Sequence, residues 1–179
     1  FGQNYYAYQY ITEKYPGEIE WDAKKLAIYS IDIETTSEGG FPNVDSPSEK
    51  LLVITLQNNN TKKITTFGLG EFTPGKDTEK FDVDWIGCKD EYTLIKTFLE
   101  WWEENTPDII TGWNSQLFDI PYLLARTERI LGEGEHKRFS PFGLVNRRPI
   151  RFAQREMTAY EITGVAQLDY LDLYKKFTY

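Results

Sequence analysis

Leu26-Ala27-Ile28-Tyr29-Ser30-Ile31-Asp32-Ile33-Glu34-Thr35-Thr36 decides how the rest of the chain is understood. Both alternating faces of Leu26 to Ile33 are mostly apolar, the pattern of a strand buried on both sides. Its end is acidic. Residues i and i+2 of a strand point the same way, so Asp32 and Glu34 project side by side while Ile33 faces away. Two carboxylates about 4 Å apart at an effective dielectric near 20 repel by about 4 kcal/mol. A shared proton or a divalent cation relieves that repulsion, and an all-oxygen donor set favours magnesium or manganese over zinc. The plainer alternative is that two acids simply end a strand in solvent, and this stretch alone does not choose between them.

The downstream pattern narrows the choice. Ser37 to Lys50, with Gly39, Gly40, Pro42 and Pro47, is expected to be a loop beside the acids. Leu51–Gln57 and Lys62–Phe67 are expected strands joined by the turn Asn58-Asn59-Asn60, which makes an antiparallel meander with the first strand. The glycine-rich segment Gly68 to Lys89 is expected to be irregular. Asp90 is placed to cap a helix whose apolar positions Leu94, Ile95, Phe98, Leu99, Trp101 and Trp102 recur near the helical period, and Pro107 stops it. A short strand, Asp108–Gly112, then implies a parallel crossover back beside the first strand. Pro121 suits the first turn of a second helix running to about Leu131. Asp119 would therefore sit near the positive end of that helix, beyond a strand's carboxyl end, where ligand sites gather in open α/β sheets.

Composition bounds the remaining possibilities. At 179 residues the chain suits one domain, able to bury about 70% of its unfolded surface. The single cysteine, Cys88, excludes an internal disulfide and a cysteine-based zinc cluster, and the single histidine, His136, excludes a His-rich metal site. With no long apolar run and no charged-then-apolar leader, no membrane association is expected and the location is expected to be cytoplasmic. Monomer is the expected state. The net charge is −8, but His136 to Arg155 holds six of the 20 Lys and Arg residues and none of the 28 acids. Lys137, Arg138, Arg147, Arg148, Arg151 and Arg155 thus form a cationic arm on an acidic body. It is expected either to hold phosphates or to be a solvated basic loop.

Asp32-Ile33-Glu34, followed about eighty residues later by Gly112-Trp113-Asn114-Ser115-Gln116-Leu117-Phe118-Asp119, resembles the first two exonuclease motifs of family B DNA polymerases, Asp-x-Glu and Asn-x-x-x-Phe-Asp. Leu168-Asp169-Tyr170-Leu171-Asp172-Leu173-Tyr174-Lys175-Lys176-Phe177 is similar to the stretch after the exonuclease hairpin in replicative polymerases of large tailed bacteriophages. The resemblance implies an α/β, ribonuclease H-like mixed sheet flanked by helices, with an inserted β-hairpin. It also implies 3′-to-5′ proofreading with two divalent cations, Mg²⁺ or Mn²⁺, at a single-stranded primer end. Asp32 would bridge both ions, Glu34 would bind the ion that activates water, and Asp119 would hold the second. Asn114 would orient the primer's phosphate or sugar, and Phe118 would either wedge against terminal bases or pack in the core. The stretch Leu144 to Ile162 would form the hairpin, turning near Gln154-Arg155-Glu156, with Arg147, Arg148, Arg151 and Arg155 toward phosphates.

One departure from the family pattern stands out. No tyrosine here is followed four residues later by an aspartate, so the third motif, Tyr-x-x-x-Asp, is missing. Asp169 and Asp172 are set aside as substitutes, since helix capping and ordinary surface roles suit them better. Residues 26–179 are thus expected to be an exonuclease domain truncated before its third motif and weakly active alone. Residues 1–25 are expected to be an aromatic-rich extension packing on the core or on a neighbouring domain of the parent polymerase. A non-catalytic nucleic-acid-binding module and an autonomous exonuclease of the same superfamily are the alternatives.

Overall fold

A computed structural model describes residues 6–152 and 155–178, the side chains of 151, 152 and 155 excepted. Strands β1 (Ile28–Thr35), β2 (Leu51–Asn58) and β3 (Ile64–Leu69) form the expected antiparallel meander. Strand β4 (Val83–Cys88) pairs parallel to β3 where the glycine-rich segment was expected to be irregular. Its partner glycines are the reason. Gly68 pairs with Gly87, and the Trp85 ring lies where a Gly68 side chain would project, 2.0 Å from an added Cβ. A glycine at each of those positions hides the strand's period in the sequence and is required by the packing.

Helix α1 (Tyr6–Lys14) precedes the sheet and buries none of its residues. Helix α2 (Glu91–Glu104) starts where Asp90 accepts a bond from the Thr93 N–H, and it buries Leu94, Ile95, Phe98, Leu99 and Trp102. Strand β5 (Ile109–Gly112) then returns parallel to β1, and helix α3 (Asp119–Leu131) follows it. Strands β6 (Val145–Phe152) and β7 (Arg155–Ile162) make the expected hairpin, paired from Val145 with Ile162 to Phe152 with Arg155. The expected turn touches residues 153–154, which lie outside the described residues. Strand β8 (Ala166–Asp169) adds parallel to β5, and helix α4 (Tyr170–Phe177) closes the described chain.

The main sheet therefore has the order β4-β3-β2-β1-β5-β8, mixed in direction, with the hairpin as a separate two-stranded sheet. Ile31 and Ile33 share one core with the apolar faces of α2 and α3. Phe67, Phe98, Trp102 and Phe139 extend it through aromatic contacts 5.2–5.9 Å between centroids. Burial is one-sided along the end of β1: Ile31 and Ile33 are buried and the intervening Asp32 and Glu34 are exposed. Strands β1, β5 and β8 run the same way, so their carboxyl ends gather along one edge of the sheet.

Candidate active site

Each parallel strand delivers an acid or an acid-bearing loop to that edge. Strand β1 ends in Asp32 and Glu34, β5 leads into the loop 113–118 and then Asp119, and β8 ends in Asp169. The exit of β5 beside β1 needs a residue without a side chain: a Cβ on Gly112 would lie 2.7 Å from the Ile31 carbonyl oxygen and 2.8 Å from the Ser115 Cβ.

Asp119 opens α3 and is 4% exposed. The Ile33 N–H donates to its Oδ1 at 3.1 Å, so Asp119 is held against the backbone between Asp32 and Glu34. Its carboxyl is pushed from an ordinary 3.8 up to about 7, first by burial and then by the charge of Asp32; the Ile33 and Asp119 N–H groups pull the other way, and Asp169 adds a smaller upward push. Among the described residues, no three His, Cys, Asp or Glu side chains stand close enough together to hold a metal ion. The donors nonetheless suit a hard cation. They are all carboxylate oxygens, and the unrelieved charge between Asp32 and Asp119 is what a divalent cation offsets.

Beside these acids lies a groove of about 380 Å³ lined by Phe41, Val44, Asn114, Leu117, Phe118 and Met157 among others. Phe118 is half-buried: it packs on Tyr122, centroids 5.7 Å apart, as the core expectation has it, and it also lines the groove. Phe41, 86% exposed, lies 5.4 Å from it. Phe41 was not anticipated, because an isolated aromatic in a Gly-Gly-Phe-Pro loop has no periodicity to mark it. Asn114 lines the same groove from a left-handed conformation, φ 60°.

The loop 37–50 is fastened by Glu49, another residue the sequence did not single out. Its buried carboxylate accepts from the Thr36 hydroxyl and from the N–H groups of Glu38 (3.1 Å) and Gly39 (2.8 Å), which hold its carboxyl below the usual range. The Tyr122 hydroxyl donates to its carbonyl at 2.7 Å, tying the loop to α3.

The five arginines of the arm differ. Arg147 pairs with Glu128 of α3 and lies 5.6 Å over the Tyr160 ring. Arg148 is exposed and makes no ion pair among the described residues. The side chains of Arg151 and Arg155 lie outside the described residues. Arg138, earlier in the arm, is held by Glu103 and Glu135 at 2.7 and 3.1 Å, so part of the arm's charge is already matched by acids from elsewhere in the chain.

A mixed sheet flanked by helices, with acids at the carboxyl ends of its parallel strands and a hairpin alongside, is the architecture of a ribonuclease H-like exonuclease. The family follows from the sequence as a whole: residues 4–179 match the exonuclease domain of DNA polymerase family B, and the chain belongs to that family. It is 31% identical to the DNA-directed DNA polymerase of Enterobacteria phage T4 and 29% identical to that of Escherichia phage RB69, in each case over 99% of this chain and 22% of the relative. Over 64% of its length it is 30% identical to the DNA polymerase catalytic subunit of Human herpesvirus 8 type P, covering 11% of that protein. The chain thus spans about a fifth of the length of its phage relatives. No helix among the described residues is long and apolar enough to cross a membrane.

Proposed function

We propose that this chain is the 3′-to-5′ proofreading domain of a replicative, DNA-directed DNA polymerase, and that it removes nucleotides from the single-stranded 3′ end of a primer in the cytoplasm. The observation that carries this reading is Asp119, buried against β1 beside Asp32 with its carboxyl pushed up to about 7. The structural carboxylates Glu49 and Asp169 are each met by three N–H or O–H donors, whereas Asp119 is buried with the Ile33 N–H on one oxygen and another acid facing it.

Asp32, Glu34 and Asp119 are the residues we assign to two divalent cations, Mg²⁺ or Mn²⁺. When bound, such ions activate a water and stabilise the leaving oxygen of a phosphodiester. The protein's part is placement. The Ile33 N–H keeps Asp119 aimed at the acids of β1, the exposed ring of Phe41, backed by Phe118 in the groove wall, offers a face to an unpaired base, and Asn114 presents an amide to the sugar or phosphate. Stacking is indifferent to base identity. Selectivity for mispaired ends then arises because a mismatch costs less to unpair before entering the groove. The hairpin stands beside the groove, with Met157 and Thr158 in its lining, where it is placed to keep the template strand apart from the primer end. Arg148, Arg151 and Arg155 are assigned to phosphates. Arg147 joins them only by releasing Glu128.

Manganese binding by calorimetry, on the chain and on Asp32→Ala, tests the assignment together with nucleotide release from single-stranded DNA. The expected result is loss of binding in the variant. Unchanged binding, with no nucleotide release in any longer form of the protein, would show that the paired acids merely end a strand.

A further inference from the structure

Asp169 was expected to cap a helix or to play an ordinary surface role; it is buried, and it does cap, its Oδ1 accepting from the Leu171 N–H at 2.8 Å at the start of α4. Capping uses part of the carboxylate. The same Oδ1 accepts from the Asn114 N–H at 2.9 Å, and Oδ2 accepts from the Gln116 N–H at 3.0 Å. These two bonds cross 55 and 53 residues of sequence, joining the end of β8 to the loop after β5. Asp169 is 6% exposed, so water competes little for any of the three N–H groups.

The loop needs such a tie. Asn114 holds φ 60°, a left-handed conformation that side-chain-bearing residues seldom adopt and that survives when neighbouring structure enforces it. Gly112 permits the close approach behind it, and Ser115, buried at 4%, fills the space beside that glycine. With the Asn114 N–H turned inward to Asp169, the Asn114 residue lines the groove on the other side.

We propose that Asp169 is a positioning residue for the single-stranded DNA end, acting through the 114–116 loop to fix where Asn114 meets the strand. This rests on the exonuclease reading above. The carboxylate thereby links the last strand of the sheet to the substrate groove, and cap and groove share one side chain.

Serine separates the two roles: it is as good a helix cap as aspartate, but its single oxygen leaves the Gln116 N–H without the acceptor that Oδ2 provides, so the loop loses at least that tie while the cap is kept. The experiment measures affinity of this chain for a fluorescent single-stranded oligonucleotide by anisotropy, in chelator so that metal plays no part. It compares the wild type, Asp169→Ser, Asn114→Ala and the double variant, with melting temperatures alongside. Asp169→Ser is expected to weaken binding about tenfold, and to add nothing further in the Asn114→Ala background. Asp169→Asn, which keeps the size and one acceptor, gives a smaller loss in the same sense and serves if the serine variant does not fold. Additive effects of the two substitutions, or wild-type affinity in Asp169→Ser, would overturn the positioning role while leaving the exonuclease reading intact. A wild-type chain that fails to bind single-stranded DNA at all would overturn that reading and the proposal with it.

Discussion

Asp119 shows how one residue reports on the site. Its carboxyl is raised from 3.8 to about 7, so the folded protein holds a proton that the unfolded chain has already released. Between those pH values the unfolded state binds fewer protons, and the Asp119 contribution to stability, complete below about pH 4, is lost as pH rises through 7. In chelator, Asp119→Asn should therefore unfold like the wild type near pH 4 and be the more stable of the two above pH 7. The gap grows by at most about 1.4 kcal/mol per pH unit across that window, as read from urea unfolding at a series of pH values. Added Mn²⁺ should narrow the gap at pH 8 by favouring the ionised carboxylate. Phe41 belongs to the same scale. An aromatic ring left in solvent contributes little to folding, so Phe41→Ala should melt within a degree or two of the wild type and still weaken single-stranded DNA binding by about 1–3 kcal/mol, measured by anisotropy.

At the scale of elements, a buried ion pair holds the site's supporting loop to both helices. Arg126 of α3 grips Glu91 of α2 through two bonds of 2.7 Å, with its other terminal nitrogen 2.7 Å from the Pro47 carbonyl, while Glu91 also accepts from the Leu51 N–H at 2.8 Å. Both side chains are 10% exposed or less. Removing one partner leaves a buried charge unmatched, so Arg126→Ala should cost about 3–5 kcal/mol in unfolding free energy, checked by denaturant titration. The periodic elements, α2, α3 and the strands β1 to β3, were legible because each shows its buried face as a repeat. Strand β4 was not legible, since its pairing depends on Trp85 covering a glycine of the neighbouring strand. Helix α1 was missed for a related reason: with no buried residue it has no apolar stripe to reveal it. The hairpin's register was partly legible, but its seat was not. Arg147 to Glu128 and the Thr158 hydroxyl to Asp45 at 2.8 Å are contacts with distant loops and helices.

For the whole molecule, the proposed function assigns separate tasks to the acidic body and to the unpaired part of the basic arm, cations to one and phosphates to the other. We assign three carboxylates of the site to this chain, and the family's Tyr-x-x-x-Asp pattern is not among its residues. A longer form of the protein that supplies such a segment should release 3′ nucleotides from single-stranded DNA with Mn²⁺ at a rate at least about tenfold above this chain, in a time course of end-labelled product. Equal rates would mean that the fourth acid is not needed or is already present. The sequence by itself determined the order of β1, β2, β3, α2, β5 and α3, the pairing of Asp32 with Glu34 on one strand face, and the place of Asp119 at a helix start. Those are consequences of local periodicity and of residues at most a few positions apart. Only the tertiary structure decided that Asp119 is buried against Asp32, that Phe41 packs on Phe118 in the lining of a groove, and that Asp169 holds the Asn114 loop. These depend on parallel strands far apart in the chain ending along one edge of the sheet, and burial and shared hydrogen bonds have no local signal.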